Sequence, residues 1–343
     1  MRRVSKIAAA GVVSAALALT ATACGSSSTS SGSGKDKGVG MAYDVGGRGD
    51  HSFNDSAARG MDKADKEFKL GTKELTASNG ETESDREQRL DSLAAAGYNP
   101  VVAVGFTYGD AVTAIAKKYP KTTFGLVDSV VDAPNVDSMV FATEQSSYLA
   151  GVAAALKSKT GKVGFIGGVH NTLIGTFDAG FAQGVKDTKP SVTVTRQYLY
   201  ETDTKGFNDP TSAQGKAQGM LDSGVDVIYT AAGLSGDGSI QAVAAKSGAW
   251  AIGVDSDQYQ DPALAKYKNS ILTSAIKNVD VAVYDLIKSV KDGKPKTGTN
   301  SYTLANGGVS VSTSGGFISD IQAQLDAAKQ KIVSKAITVS STP

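Results

Sequence analysis

The chain of 343 residues contains a single cysteine, a single tryptophan and only two histidines. One cysteine excludes an internal disulfide, and so few histidines and cysteines exclude the common zinc ligand sets. An excess of one charge is lacking too, because 35 lysines and arginines balance 34 aspartates and glutamates. This balance gives no attraction for nucleic acid, whose binding requires an excess of basic residues. Hydrophobic residues make up 41% of the chain, which is typical of a folded α/β protein.

Motifs of catalysis and of phosphate binding are missing as well. The chain has no G-x-S-x-G, no H-E-x-x-H, no dinucleotide-binding G-x-G-x-x-G and no P-loop. Asp44 and Asp128 could in principle act as an acid and a base, but no nucleophile or cofactor motif accompanies them. The sequence therefore predicts a binding protein and not an enzyme, with no cofactor and no metal.

The N-terminal segment has the features of a secretion signal. Three basic residues, Arg2, Arg3 and Lys6, precede an uncharged apolar run over Ile7–Leu19, and small residues lead from there to Cys24. The run is too short to span a bilayer, and a segment of this kind is normally cleaved.

Cys24 would become the first residue after cleavage, and a Ser/Gly-rich stretch follows it. This arrangement resembles a bacterial lipoprotein signal. We therefore predict a signal peptide over residues 1–23, acylation of Cys24 and a flexible, membrane-anchored tether over residues 24–37. Ala21 departs from the pattern, because leucine is usual three residues before the cysteine. The alternative is a cleaved secretory peptide in which the cysteine is incidental.

Beyond the tether, short apolar runs alternate with amphipathic segments, as expected of repeated β-α units. The first series has strands at Val39–Tyr43, Val101–Val104, Thr123–Val127 and Val136–Phe141, and helices near Asp55–Phe68, Ser84–Ala96 and Asp110–Lys118. The second series has strands at Lys162–Ile166, Val192–Tyr198, Val225–Tyr229, Trp250–Val254 and Ile271–Ser274, and helices near Thr176–Asp187, Thr211–Asp222, Gly238–Lys246 and Pro262–Tyr267. Helices at Val279–Val290 and Ile318–Val333 close the chain. Two successive parallel sheets predict two lobes.

Ligands of open parallel sheets bind outside the carboxyl ends of the strands, which in a two-lobed protein places the site in the cleft. The residues after the predicted strands are therefore the candidates: Asp44, Phe106, Asp128, Gly168, residues 200–207, residues 231–238 and Asp255. Phe53 and Asn54 end the glycine-rich loop after the first strand. They offer a ring for stacking and an amide that donates and accepts hydrogen bonds. Alternatively, Phe53 packs on its own helix and Asn54 caps it.

Asp128 and Asp255 each follow an apolar strand, at matching positions in the two series. A buried carboxylate there can accept hydrogen bonds from hydroxyl or ring N–H groups, and the alternative is that each caps the next loop. Gly233 lies in a turn that either exposes backbone N–H groups to a ligand or is only a tight turn. Lys277 also follows a strand, but composition alone favours a solvated surface lysine.

Eight segments between Val39 and about Val333 carry specific sequences: Asp44 with Ser52–Asn54, Phe124–Asp128, Asn135–Phe141, Glu144–Gly151, Gly175–Gly184, Phe207–Asp209, Ala232–Gly233 and Trp250–Gln258. Together they resemble the basic membrane protein family of ABC-transporter substrate-binding lipoproteins, whose characterised members include purine nucleoside receptors. The resemblance implies a type I periplasmic-binding fold that closes around its ligand, with three crossings between two α/β lobes.

The implied crossings lie near Ala142–Ser146, Ser274–Lys277 and Asn300–Leu304. They divide the chain into an N-lobe of residues 38–143 and 277–302 and a C-lobe of residues 144–276 and 303–343.

The resemblance also implies roles for single residues. The aromatic rings that enclose the purine correspond to Phe53 and Phe207, with Phe177 as an addition. The amide of Asn54 and the carboxylate of Asp128 correspond to the groups that read the edge of the base.

Asp44, Asp255 and Lys277 match positions that hold the ribose hydroxyls, and the backbone of Gly233 would lie close to the sugar. The predicted function is that of a monomeric, lipid-anchored nucleoside receptor that passes its ligand to an ABC permease driven by a cytoplasmic ATPase. A sugar, a signalling molecule or another ring-bearing solute is an alternative ligand. A surface sensor without a transporter is an alternative role, and the preferred base stays open.

Overall fold

The protein is described here by a computed structural model that covers residues 37–343. The predicted signal peptide, Cys24 and nearly all of the tether lie outside the described residues. Within the described part, two six-stranded sheets form two lobes. No helix in residues 37–343 is both long and apolar enough to cross a membrane.

Six parallel strands form the sheet of the N-terminal lobe: β1 (Val39–Tyr43), β2 (Thr72–Thr76), β3 (Val101–Val104), β4 (Phe124–Val127), β5 (Val136–Phe141) and β11 (Gly298–Tyr302). Their order across the sheet is β11-β5-β4-β3-β1-β2. Helices α1 (Phe53–Phe68) and α8 (Val279–Lys291) pack on one face, and α2 (Glu83–Ala95) and α3 (Gly109–Lys118) pack on the other. Successive side chains of a strand point to opposite faces, so β1 contributes to both cores.

The C-terminal lobe repeats this plan with strands β6 (Lys162–Val169), β7 (Thr193–Tyr200), β8 (Val227–Ala231), β9 (Trp250–Asp255), β10 (Ile271–Lys277) and β12 (Val309–Val311). The order is β12-β10-β9-β8-β6-β7, and β12 alone runs antiparallel to its neighbour. Helices α4 (Thr143–Lys157), α5 (Thr172–Thr188) and α9 (Gln322–Val333) cover one face, and α6 (Pro210–Asp222) and α7 (Gly236–Ala244) cover the other.

The chain passes between the lobes three times. It crosses at Ala142 after β5, at Asn278 after β10 and over residues 303–308 between β11 and β12. The second and third crossings begin slightly later than expected. Ser274–Lys277 are still part of β10, so Lys277 belongs to the C-terminal lobe and not to the N-lobe, and Asn300 is still part of β11. The predicted two-lobed α/β fold with three crossings is confirmed.

Several elements differ from the sequence prediction. Helix α4 was not predicted, because it is buried on most sides and has no polar face to produce a helical period. Strands β2 and β11 are largely exposed and β12 has three residues, so none of them shows an apolar run. The helix predicted at Pro262–Tyr267 is wrong. The chain forms only a short 3₁₀ turn at Pro262–Leu264, since the segment is too short to sustain an α-helix.

Helices α4 and α5 approach each other so closely that glycine is required at the contact. A Cβ atom on Gly184 would lie 2.0 Å from the backbone oxygen of Tyr148, and one on Gly180 would lie 2.1 Å from that of Glu144. This contact fixes α5, whose first turns lie beside the cleft between the lobes.

Gly184→Ala should therefore lower the free energy of unfolding by about 1–3 kcal/mol, because the backbone of α4 must move to accommodate the methyl group. Gly215→Ala in α6 is the control, since no atom outside its own helix turn lies within 4 Å of the added Cβ. There the loss of glycine from a helix interior should raise stability by about 0.5–1 kcal/mol. Urea unfolding followed by circular dichroism measures both, and changes of the same sign would contradict the packing argument.

Candidate ligand-binding site

A cavity between the lobes contains about 500 Å³ of empty space, part of which is open to solvent. All eight residues predicted to bind a ligand contribute to its wall: Asp44, Phe53, Asn54, Asp128, Phe207, Gly233, Asp255 and Lys277. The cavity lies where the strands of both sheets end, as the sequence predicts.

The loop after β1 brings an amide and two carboxylates together. Asp50 accepts hydrogen bonds from the backbone N–H groups of Ser52, Asn54 and Asp55, at 3.0, 2.8 and 3.0 Å. Asp50 thus starts α1, and the alternative that Asn54 caps this helix is wrong. The side-chain nitrogen of Asn54 instead donates to Asp44 at 2.8 Å and to Asp50 at 3.2 Å. Its Oδ1 is buried and has no partner among the described residues.

Asp50 lines the cavity but was not among the predicted site residues. A carboxylate shortly before a helix start is a capping signal, so this part of its role was readable from the sequence. The position of Asp50 in the cavity wall could not be predicted from the sequence, because this position depends on how the glycine-rich loop folds back.

Asp128 and Asp255 occupy equivalent positions in the two lobes, at the carboxyl ends of β4 and β9. Both have left-handed backbones, with φ of 69° and 61°, a region that residues other than glycine rarely adopt. Asp255 Oδ2 accepts a hydrogen bond from the Ser52 hydroxyl at 2.9 Å. Oδ1 of each aspartate is buried and has no partner within residues 37–343. Both aspartates line the cavity, and each has one buried acceptor atom without a partner in the described part of the chain.

Lys277 is only 2% exposed, so the expectation of a solvated lysine is wrong. Its ammonium group pairs with Asp128 and lies 4.5 Å from the centre of the Phe53 ring and 5.9 Å from that of Phe177. A buried lysine requires such compensation, since desolvation disfavours an unpaired charge. The partner is 149 residues away in the chain, which is why composition alone misplaced this lysine.

The cavity is acidic, with four aspartates against one lysine. Burial raises the pKa of Asp44 well above its usual range, and the nearby charges of Asp50 and Asp128 raise it further against the opposing hydrogen bond from Asn54. Burial also raises the pKa of Asp50 to about 7 and raises the pKa of Asp255. Buried carboxyl groups of this kind are stabilised by hydrogen-bond donors of a ligand, and they do not attract an anion.

Aromatic and aliphatic side chains form the remainder of the wall. Phe106 of the N-terminal lobe meets Phe207 of the C-terminal lobe edge to face, with ring centroids 6.4 Å apart. Leu173 and Ile174 also line the cavity and were missed, because α5 begins four residues earlier than predicted. Gly233 lies in the turn after β8 with φ of 54°. No group of histidine, cysteine and acidic residues suited to a metal occurs in the part of the chain that the structure describes.

Direct hydrogen bonds join the two lobes beside the cavity. The Ser256 hydroxyl donates to the backbone oxygen of Ser52 at 2.6 Å, and the Gln258 amide donates to that of His51 at 3.1 Å. His51 Nδ1 lies 2.8 Å from a carboxylate oxygen of Asp237. We call this set, together with the bond between Ser52 and Asp255, the interlobe clasp. It holds the lobes in contact along one side of the cleft.

Known proteins with similar sequences and structures were identified. Residues 37–342 match the family described as ABC transporter substrate-binding protein PnrA-like. An ABC transporter nucleoside-binding protein, BmpA, of Lactococcus lactis is 38% identical over 316 residues, which cover 87% of each chain. A CD4+ T-cell-stimulating antigen of Listeria monocytogenes is 37% identical over 89% of this chain and 88% of its own.

A solute-binding protein of an ABC transporter system from Aeropyrum pernix has a similar crystal structure, with a TM-score of 0.76 and 29% identity. The similarity covers 89% of this chain and 93% of that protein. Proteins of this class act outside the cytoplasm. The family match covers nearly all described residues, and the relatives named above are more than 30% identical to this chain. The chain therefore belongs to the PnrA-like family of ABC transporter substrate-binding proteins.

Proposed function

We propose that the protein is the lipid-anchored receptor of an ABC importer, and that it binds a purine nucleoside in the cleft without altering it. The observation that carries this proposal is that three residues of the cavity wall, Asn54, Asp128 and Asp255, each have a buried Oδ1 without a partner within residues 37–343, and that the wall also contains aromatic rings from both lobes. A nucleoside matches this wall, because it has an aromatic base with N–H donors and a sugar with hydroxyl donors. The nucleoside-binding relative in L. lactis supports the same ligand class.

Each predicted residue has a role in this proposal. The base stacks against Phe53 and Phe207, which come from opposite lobes, and Asn54 and Asp128 bind its edge. The ribose hydroxyls lie against three charged residues and one backbone turn: Asp44, Asp255, Lys277 and Gly233.

The charges of the cavity favour a nucleoside over a nucleotide. Among the residues that the structure describes, Lys277 is the one cation of the wall, and it is already paired with Asp128. A phosphate group would find no unpaired cation among the described residues of the wall.

We further propose that Cys24 carries the lipid anchor and that the monomer delivers its ligand to the permease and ATPase of the transporter. The residues after Cys24 are rich in Ser and Gly, a composition that is typical of linkers between an anchor and a folded part.

Thermal unfolding against a panel of ligands tests the proposal. Adenosine, guanosine and inosine should raise the melting temperature, because a ligand at 100 times its dissociation constant adds about 2.7 kcal/mol to stability. Free bases, ribose and the matching 5′-monophosphates should give little or no shift. A shift with ribose alone would point to a sugar receptor, and no shift with any nucleoside would refute the ligand assignment.

Asp255→Asn should weaken nucleoside binding by about 1–3 kcal/mol, because the hydroxyl groups lose a charged acceptor. Asparagine is preferable to alanine here, since it tolerates the left-handed backbone of this position. Isothermal titration calorimetry measures the change. Asp222→Asn on the exposed end of α6 is the control, and an equal affinity in both variants would remove Asp255 from the site.

The contact between His51 and Asp237 predicts a pH dependence. Burial on its own would lower the pKa of His51, but the hydrogen bond and charge of Asp237 raise it overall, with smaller contributions from Asp261 and Asp55. Neither partner lines the cavity, so the pair acts on lobe contact and not on the ligand directly. Burial raises the pKa of Asp237 itself, and the pair is lost once that carboxylate is protonated.

Because the pKa of His51 is raised when the lobes meet, closure takes up a proton. This contribution is complete below the ordinary histidine pKa of about 6.5 and disappears as the pH rises through the raised pKa. The ratio of wild-type affinity to that of His51→Gln should therefore fall as the pH rises above about 6.5 and through the raised pKa of His51. His170→Gln is the control, because His170 is exposed and lies outside the clasp. The same pH profile in wild type and His51→Gln would contradict the linkage.

A further inference from the structure

The last residues of the three strands that precede the lobe crossings lie in one cluster. Strand β5 ends at Phe141, β10 at Lys277 and β11 at Tyr302. Phe141 and Tyr302 are paired across neighbouring strands, and their rings stack with centroids 4.9 Å apart and planes 20° apart. The backbone N–H of Ala142 donates to the oxygen of Tyr302 at 2.8 Å, which ties the first crossing to the third.

Lys277 joins this stack to the cavity. Its ammonium nitrogen lies 5.2 Å from the centre of the Phe141 ring, within reach of a cation–π interaction. The same ammonium pairs with Asp128 in the cavity wall. Phe141 itself does not line the cavity, but it packs against the hydrophobic cores of both lobes.

Several neighbours set the position of the ammonium group. Asp128 attracts it and the rings of Phe53 and Phe177 lie near it in the cavity wall, while the ring of Phe141 contacts it from the side of the crossings. Cation–π attraction strengthens as a cation is desolvated, and Lys277 is almost fully buried.

We propose that Phe141 is a positioning residue for ligand binding, which holds the ammonium group of Lys277 in place and connects it to all three lobe crossings. A ligand that contacts Lys277 or Asp128 then favours one arrangement of the crossings, since the strand ends that precede them are in contact with one another. This inference deepens the proposed function and rests on it for the identity of the ligand.

The chain contains a matched control for this contact. Phe68 at the end of α1 stacks on Tyr284 of α8 with ring centroids 5.9 Å apart, and the Lys291 ammonium lies 4.9 Å from the centre of the Phe68 ring. The arrangement has the same three residue types, but Lys291 is exposed and none of the three lines the cavity.

Calorimetric titration with adenosine, guanosine and inosine tests the positioning role. Phe141→Leu should weaken binding by between about two-fold and thirty-fold, the range of a partly to fully desolvated cation–π contact. Phe141→Tyr keeps the ring face and should restore the affinity to within about two-fold of wild type. Phe68→Leu should leave it unchanged. Unchanged affinity in Phe141→Leu, or an equal loss in Phe68→Leu, would overturn the proposal.

A ligand-free double-mutant cycle separates this proposal from the nucleoside assignment. The background carries Lys277→Met and Asp128→Asn together, so that no buried charge is left unpaired. The shift in urea midpoint caused by Phe141→Leu should be smaller in this background than in wild type. The shift caused by Phe68→Leu should be the same in the background and in wild type.

If Phe141→Leu shifts the urea midpoint equally in wild type and in the background variant, the energetic contact between Phe141 and Lys277 is refuted, even if nucleosides bind. A coupled cycle without any nucleoside binding would uphold the contact and refute the ligand class. If the background variant does not fold, the urea midpoints of Phe141→Tyr and Phe141→Leu are compared without ligand. This comparison decides whether the aromatic ring of Phe141 or only its volume stabilises the protein.

Discussion

The ion pair between Lys277 and Asp128 is the interaction on which the cavity depends. Its two side chains are 3% and 4% exposed, and they come from strand ends in different lobes. Removing both charges from water is costly, so neither residue is tolerable in this place without the other. The pair fixes the ammonium group of Lys277, leaves one oxygen of Asp128 without a partner among the described residues, and links the second crossing to the cavity wall.

The two lobes contribute to the site through equivalent parts. Asp128 and Asp255 stand at the ends of corresponding strands, and both hold a left-handed backbone that costs roughly 1–2 kcal/mol for a residue with a Cβ atom. Strain of this kind persists only where surrounding contacts over-determine it, and it is concentrated at functional sites. Here those contacts are Lys277 for one aspartate and Ser52 for the other. Each lobe thus presents one carboxylate oxygen from the same point of its fold.

Much of this architecture could be predicted, because buried parallel strands give apolar runs and their ends face the cleft. Asp44, Asp128 and Asp255 were found by that rule. Helix α4 was not found, since a helix buried on most sides has no amphipathic period. The burial of Lys277 and the position of Asp50 in the wall could not be predicted from the sequence pattern either. The first depends on a contact between distant segments of the chain, and the second depends on how a loop folds. The ligand roles of these residues remain predictions.

The interlobe clasp has a consequence for the timing of transport. Under the proposed function, the bonds between Ser256 and Ser52 and between Gln258 and His51 would have to separate before the cleft opens, so the opening of the protein would limit how fast a ligand leaves. Different ligands would then share a similar escape step, and their affinities would differ through how strongly each favours the closed state. By separating the bonds of the interlobe clasp, the permease would accelerate ligand release and set the rate of delivery.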